Sequence, residues 1–213
     1  MVTMSKAISN LNLLTIFDEI ENKTYYGCDQ EWFASKWQCL SGCGPTVATN
    51  IIIYLNNIAF KSEQKYNNKK DCVLLMGEIW KYVTPSFQGV NSTKMFYDSM
   101  LIYTKLKGLN VEYDYCDLPK NKTRRPKLSE VLDFLEKAFN KDVPIAFLNL
   151  SNGDEKNLDQ WHWVTVISLE YSEDKNIAVV NILDEGQVKK IDLALWYNTT
   201  TRGGGFVYFT ASV

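Results

Sequence analysis

The sequence predicts an α+β fold, a layer of helices packed on a mainly antiparallel β-sheet. Stretches with apolar residues at helical spacing concentrate before residue 141, and short apolar runs bounded by turn residues concentrate after residue 143. That separation of the two periods along the chain marks α+β and not an alternating βαβ arrangement. With 46% hydrophobic and 13% aromatic residues among 213, the chain can also bury one sizeable core. A single domain over 1–213 is therefore expected, with its core at 37–187 and extensions at 1–36 and 188–213.

Residues 1–36 read as an irregular lead-in with a short helix near Leu11 to Ile20. Trp37 to Pro45 is rich in small residues and reads as a tight turn. Val47, Ala48, Ile51, Ile52, Tyr54 and Leu55 then fall at the spacing of a buried helix reaching about Asn57. Pro45 sits in its first turn, where a missing N–H costs nothing. A polar loop is expected at 61–71, a helix over 72–83 and a turn over 84–91. Ser92 or Thr93 caps a helix carrying Met95, Phe96, Met100, Leu101 and Tyr103, which Gly108 closes. Val111 to Tyr115 is a short strand. Over 126–140, Leu128, Val131, Leu132, Leu135 and Phe139 form one helical face. Strands follow at 144–150, 161–169, 177–183, 188–193 and 205–210, with a turn at Asp184-Glu185-Gly186-Gln187.

Composition excludes several classes of function. The formal net charge is -2, so no broad basic field exists for phosphates, and nucleic acid is not an expected partner. The basic run Lys120 to Lys127 reads as a solvated loop. No apolar run approaches the ~20 residues of a membrane span. Met1 to Asn10 lacks the basic start and apolar stretch of a secretion signal, so a cytoplasmic protein is expected, or a secreted one whose leader precedes this sequence. The five cysteines are scattered, odd in number and without CxxC spacing, which argues against a disulfide framework. With one histidine in the chain, neither a structural zinc nor any other cofactor is expected.

The chemistry gathers on four residues. Cys43 lies between Gly42 and Gly44 just before a buried helix. Free backbone N–H groups and the helix dipole favour a thiolate there, and the glycines let a substrate carbonyl approach. His162, in the alternating run Trp161-His162-Trp163-Val164-Thr165-Val166-Ile167, is held on a strand as a general base would be. Asp184 ends the next strand, where its carboxylate can orient the imidazole. Asn181 is its rival, on the opposite face of that strand. Gln38, five residues before Cys43, can donate to an oxyanion together with the Cys43 N–H, with Gln30 as the alternative.

Taken in order, the glutamine, Ser41-Gly42-Cys43-Gly44-Pro45-Thr46 opening a buried helix, the helix–strand unit Lys127 to Leu150, the strand begun by His162 and the aspartate ending the next strand resemble the papain superfamily of cysteine peptidases. The likeness is to its bacteriocin-processing-peptidase-like branch and covers about residues 37–187. It implies a papain-like fold, a Cys-His-Asp triad at Cys43, His162 and Asp184, a glutamine in the oxyanion hole at Gln38, and a peptide or amide substrate cleaved after small residues. Glu185 stands where relatives usually carry a proline. Two further readings use the same scaffold: acyl transfer of the phytochelatin-synthase type, and a catalytically silent peptide-binding module.

Overall fold

A computed structural model of the protein describes residues 3–60 and 65–212; residues 61–64, the start of the expected polar loop, lie outside the described residues. The chain runs through β1 (Thr3–Ala7), β2 (Thr15–Asp18), β3 (Lys23–Tyr26), α1 (Lys36–Ser41), α2 (Cys43–Ile58), α3 (Lys69–Trp80) and α4 (Thr93–Leu106). It continues through β4 (Val111–Leu118), α5 (Leu128–Asn140), β5 (Ile145–Asn149), β6 (His162–Ser172), β7 (Ala178–Asp184), β8 (Gln187–Asp192), α6 (Leu193–Thr199) and β9 (Gly204–Ala211). The architecture is α+β with an antiparallel sheet, as the separated periodicities predict. The strands lie in the order β4-β9-β5-β6-β7-β8. The long strand β6 takes β5 along its first half and β1 along its second, Thr3 facing Ser172 and Ala7 facing Ser168.

Three local expectations fail for identifiable reasons. The helix near Leu11 to Ile20 is one 3₁₀ turn (Leu11–Leu14) followed by the hairpin β2–β3, which pairs Thr15 with Tyr26. Alternation decides the matter: Ile16 and Tyr25 point into the core while Phe17 and Thr24 face outward. The expected turn at Trp37 to Pro45 contains α1, because Ser35 caps it and Gln38 answers in a capping box. At the C-terminal end α6 intervenes before the last strand; Asp192 caps it by accepting from the Leu195 N–H at 2.8 Å. The two extensions join the central sheet, β1 on β6 and β9 between β4 and β5.

Helix α2 is the axle of the layer. Residues 44–55 are buried on every side of it, which suits a helix that is apolar nearly all round. It leans on the sheet through Asn50, whose amide donates to Thr165 Oγ1 on β6 at 3.1 Å. Aromatic contacts fill the layers behind it. Trp163 stacks on Phe96 with centroids 4.4 Å apart, and Phe147 stacks on Phe206 at 4.5 Å and meets Trp196 edge-on at 4.7 Å.

Phe147 has no solvent exposure and touches both rings. Phe147→Ala should cost about 3–5 kcal/mol. The check is the urea midpoint at unchanged slope; a loss under about 1 kcal/mol would mean that this part of the core collapses freely around the cavity.

Candidate active site

Cys43 is the first residue of α2 and Gly42 its N-cap, with no side chain closing the helix end. A Cβ at Gly42 would come within 2.5 Å of the Gln38 carbonyl and 2.6 Å of the Phe33 ring, so the α1–α2 junction admits only glycine. The Thr46 N–H bonds back to the Gly42 carbonyl at 2.9 Å, and Pro45 has no N–H. The N–H groups of Cys43 and Gly44 are the ones that helix geometry leaves without an intrahelical acceptor. They give the sulfur's surroundings a partial positive character.

His162 opens β6 directly after Trp161, which adopts the left-handed conformation at φ 56°. Asp184 closes β7 and pairs with Gln187 across a two-residue turn whose members, Glu185 and Gly186, both have positive φ (51° and 68°). This is the sense of a type I′ hairpin turn, which matches the twist of the strands. Proline cannot reach φ 51°, so this turn excludes it at position 185. The Gly186 carbonyl accepts from the Tyr26 N–H at 2.8 Å and pins the turn to β3.

These ends meet. His162 Nε2 lies 2.7 Å from Asp184 Oδ1, with both side chains largely buried. Cys43, His162, Asp184, Gln30 and Asn50 line one cavity of about 10 Å³, room for a single water. Cys43 and the imidazole thus face the same small cavity. Asn181 does not reach the histidine; its amide donates to Ser168 Oγ at 2.8 Å.

Gln38 is committed elsewhere. Its amide oxygen accepts from the Ser35 N–H at 3.3 Å and from Ser35 Oγ at 3.1 Å, closing the capping box of α1, and it does not line the cavity. Gln30, in a 3₁₀ turn after β3, does. Of the two glutamines, Gln30 and not Gln38 shares a cavity lining with Cys43. A capping serine three residues ahead of Gln38 is the sequence signal that separates the two. Asn50 was not foreseen. It stands seven residues after Cys43, two turns along the same face of α2, and its Oδ1 accepts from the Cys28 N–H at 2.8 Å.

Electrostatics follow from this packing. Burial alone would lower the His162 pKa, but the hydrogen bond that the ring donates to Asp184 and the neighbouring Cys43 outweigh it and raise it from the ordinary 6.5 to about 10. Burial pushes Asp184 upward, yet His162 and Lys189 together hold its carboxyl below the usual range. Cys28 and Cys116 are pushed up by burial, Cys116 to about 12. All five cysteines are free, and Cys43 is the one that combines a helix N-terminus with a histidine.

Next to Cys43 a cleft of about 440 Å³ opens among Trp37, Leu40, Phe87, Val90, Leu150 and Trp161, and no charged residue lines it. Phe87 is 95% exposed at the tip of a turn closed by two backbone bonds between Ser86 and Gly89. Among the described residues no group of His, Cys, Asp or Glu is arranged to hold a metal ion, and no helix is long and apolar enough to cross a membrane.

His162 is the chain's only histidine, so its ring C–H proton resonances are assigned without mutagenesis. They should show no titration between pH 5 and 8 and an inflection near 10. Because the folded value lies above the unfolded one, the protonated ring stabilises the fold fully below about pH 6.5, and that contribution fades as pH rises through about 10. Cys43→Ala should bring the inflection down. An inflection near 6.5 in the intact protein would contradict the ion pair.

No family model matches the chain, and no curated protein matches its sequence. Among solved structures the chain is similar to UfSP from C. elegans, a cysteine protease of papain-like fold. The TM-score is 0.55 at 10% sequence identity, and the match covers 100% of this chain and 35% of that one. The chain thus spans about a third of the length of that neighbour, and the likeness establishes the fold: this is a papain-like α+β architecture.

Proposed function

We propose that the protein is a cysteine peptidase or amidase. The observation that carries this reading is the Asp184–His162 hydrogen bond of 2.7 Å set against Cys43 at the open N-terminus of α2. In this reading the Cys43 thiolate attacks a carbonyl carbon, and the carbonyl electron pair moves onto oxygen. The Cys43 N–H and the Gln30 side chain receive that oxyanion. His162 then gives its proton to the departing nitrogen, the C–N bond breaks, and a thioester remains. Water adds to the thioester while His162 takes its proton, and release of the acid restores the thiolate–imidazolium pair. Asp184 supports the imidazolium throughout without taking up the proton itself.

The position of the apolar cleft supports an assignment of sides. The leaving nitrogen must depart beside His162. The cleft is lined by Cys43 and not by His162, so it suits the acyl portion of the substrate. Its uncharged aromatic walls favour a bulky apolar side chain. Cleavage after small residues, as the bacteriocin-processing likeness implies, leaves this cleft for a larger side chain further along the acyl segment.

A p-nitrophenyl ester of N-acylated phenylalanyl-glycine should acylate the enzyme with a burst of nitrophenol and then turn over. Cys43→Ala should give no burst, and intact mass spectrometry should find no adduct. Gln30→Ala should slow turnover by about 10²–10³-fold. Gln38→Ala should leave turnover within about twofold and cost about 1 kcal/mol of stability through its cap. An adduct persisting in Cys43→Ala, or losses that fall on Gln38 and spare Gln30, would refute these assignments.

A further inference from the structure

Resting on the reading just given, we infer that Lys189 is a positioning residue of this site, holding the Asp184 carboxylate ionised and aimed at His162. The two oxygens of Asp184 are divided: Oδ1 meets His162 Nε2 at 2.7 Å, and Oδ2 accepts from Lys189 Nζ at 2.8 Å. The hairpin dictates this second contact. Asp184 pairs with Gln187 and Ile182 with Lys189, so Lys189 is the diagonal neighbour of Asp184 on the same face of the ladder. The Glu185-Gly186 turn fixes that register. A one-residue slip would send the lysine to the opposite face.

The chemistry asks for such a clamp. The Asp184 side chain is only 5% exposed, so water does little to solvate its charge. Histidine alone would leave half of its acceptor sites without a donor and let the carboxylate turn about its Cβ–Cγ bond. Lys189 supplies the missing donor, and its own stem is 26% exposed. Glu185 Oε2 accepts from the same ammonium at 2.6 Å, so the cation is anchored between two carboxylates. The charged and titratable groups around Asp184 are His162 from β6, Cys43 from α2, Lys189 and Glu185 from the β7–β8 hairpin, and Cys28 and Asp29 from the loop after β3. Asp29 and Glu185 add negative charge, which by itself would favour a protonated Asp184. Lys189 is the cation in direct contact that opposes them.

The test needs no substrate. The rate of Cys43 alkylation by iodoacetamide, with the site identified by mass spectrometry, is followed from pH 3 to 10 in the 213-residue protein and in Lys189→Met, Lys189→Arg and His162→Ala. The wild-type curve is the reference, and His162→Ala should change it. In Lys189→Met the acid inflection should rise by about one pH unit, since Asp184 becomes easier to protonate and ceases to support the imidazolium. Lys189→Arg should restore the wild-type curve, an outcome that loss of packing alone would not give. Circular dichroism monitors the fold; should Lys189→Met unfold, Lys189→Gln keeps the stem without the charge and should show the same upward shift. A Lys189 variant whose curve superposes on the wild type, while His162→Ala changes it, overturns the role of the lysine alone. A His162→Ala curve identical to wild type overturns the thiolate–imidazolium pair and the lysine's role with it.

Discussion

The hydrogen bond between His162 and Asp184 is the constraint around which the rest of this architecture is arranged. A buried carboxylate and a buried imidazole are each costly alone, and paired they offset one another's desolvation. The pair also joins the start of β6 to the end of β7, neighbours in the sheet, beside the N-terminus of α2. The tight turn after Asp184, the left-handed Trp161 before His162 and the glycine hinge before Cys43 all lie at these ends. Trp161 and Glu185, both in the left-handed conformation, thus flank the two members of the ion pair.

The fold supplies the rigidity that such a convergence needs. Asn50 links α2 to Thr165 on β6 and to the Cys28 backbone, so helix, strand and the loop carrying Gln30 move as one body. The Trp163 indole N–H donates to the Val90 carbonyl at 2.6 Å and fixes the segment that forms one wall of the apolar cleft. The remaining wall comes from β5 and α1. The cleft therefore has a stiff floor beside Cys43 and an outer rim, Phe87 and Leu40, that projects freely into solvent.

Much of this was legible in the residues. The separation of helical and strand periods gave the α+β class, and the placement of Cys43, His162 and Asp184 followed from a helix start, a strand and a strand end. What escaped was set by contacts too local or too distant for periodicity. Gln38 looked available until Ser35 claimed it, a matter of three residues. The β2–β3 hairpin was hidden because Leu11, Leu13 and Leu14 mimic a helical stripe before alternation begins at Thr15. Asn50 and Lys189 act across the fold, one through a strand 115 positions away and the other across a hairpin ladder, and one-dimensional patterns carry no trace of such pairings.

The placement of β9 has a consequence for how the molecule is made. Strands β5 to β8 form a meander in which each joins its successor, so this half of the sheet can zip up as it is synthesised. Strand β4 touches the sheet only through β9, a segment more than 85 positions later, and until then its edge has no partner. Loop closure over that distance is slow compared with hairpin formation. The nascent protein thus assembles the half bearing His162 and Asp184 early and the β4 flank last, and in the interval β4 and the vacant edge of β5 are the surfaces that a chaperone would have to shield from other chains.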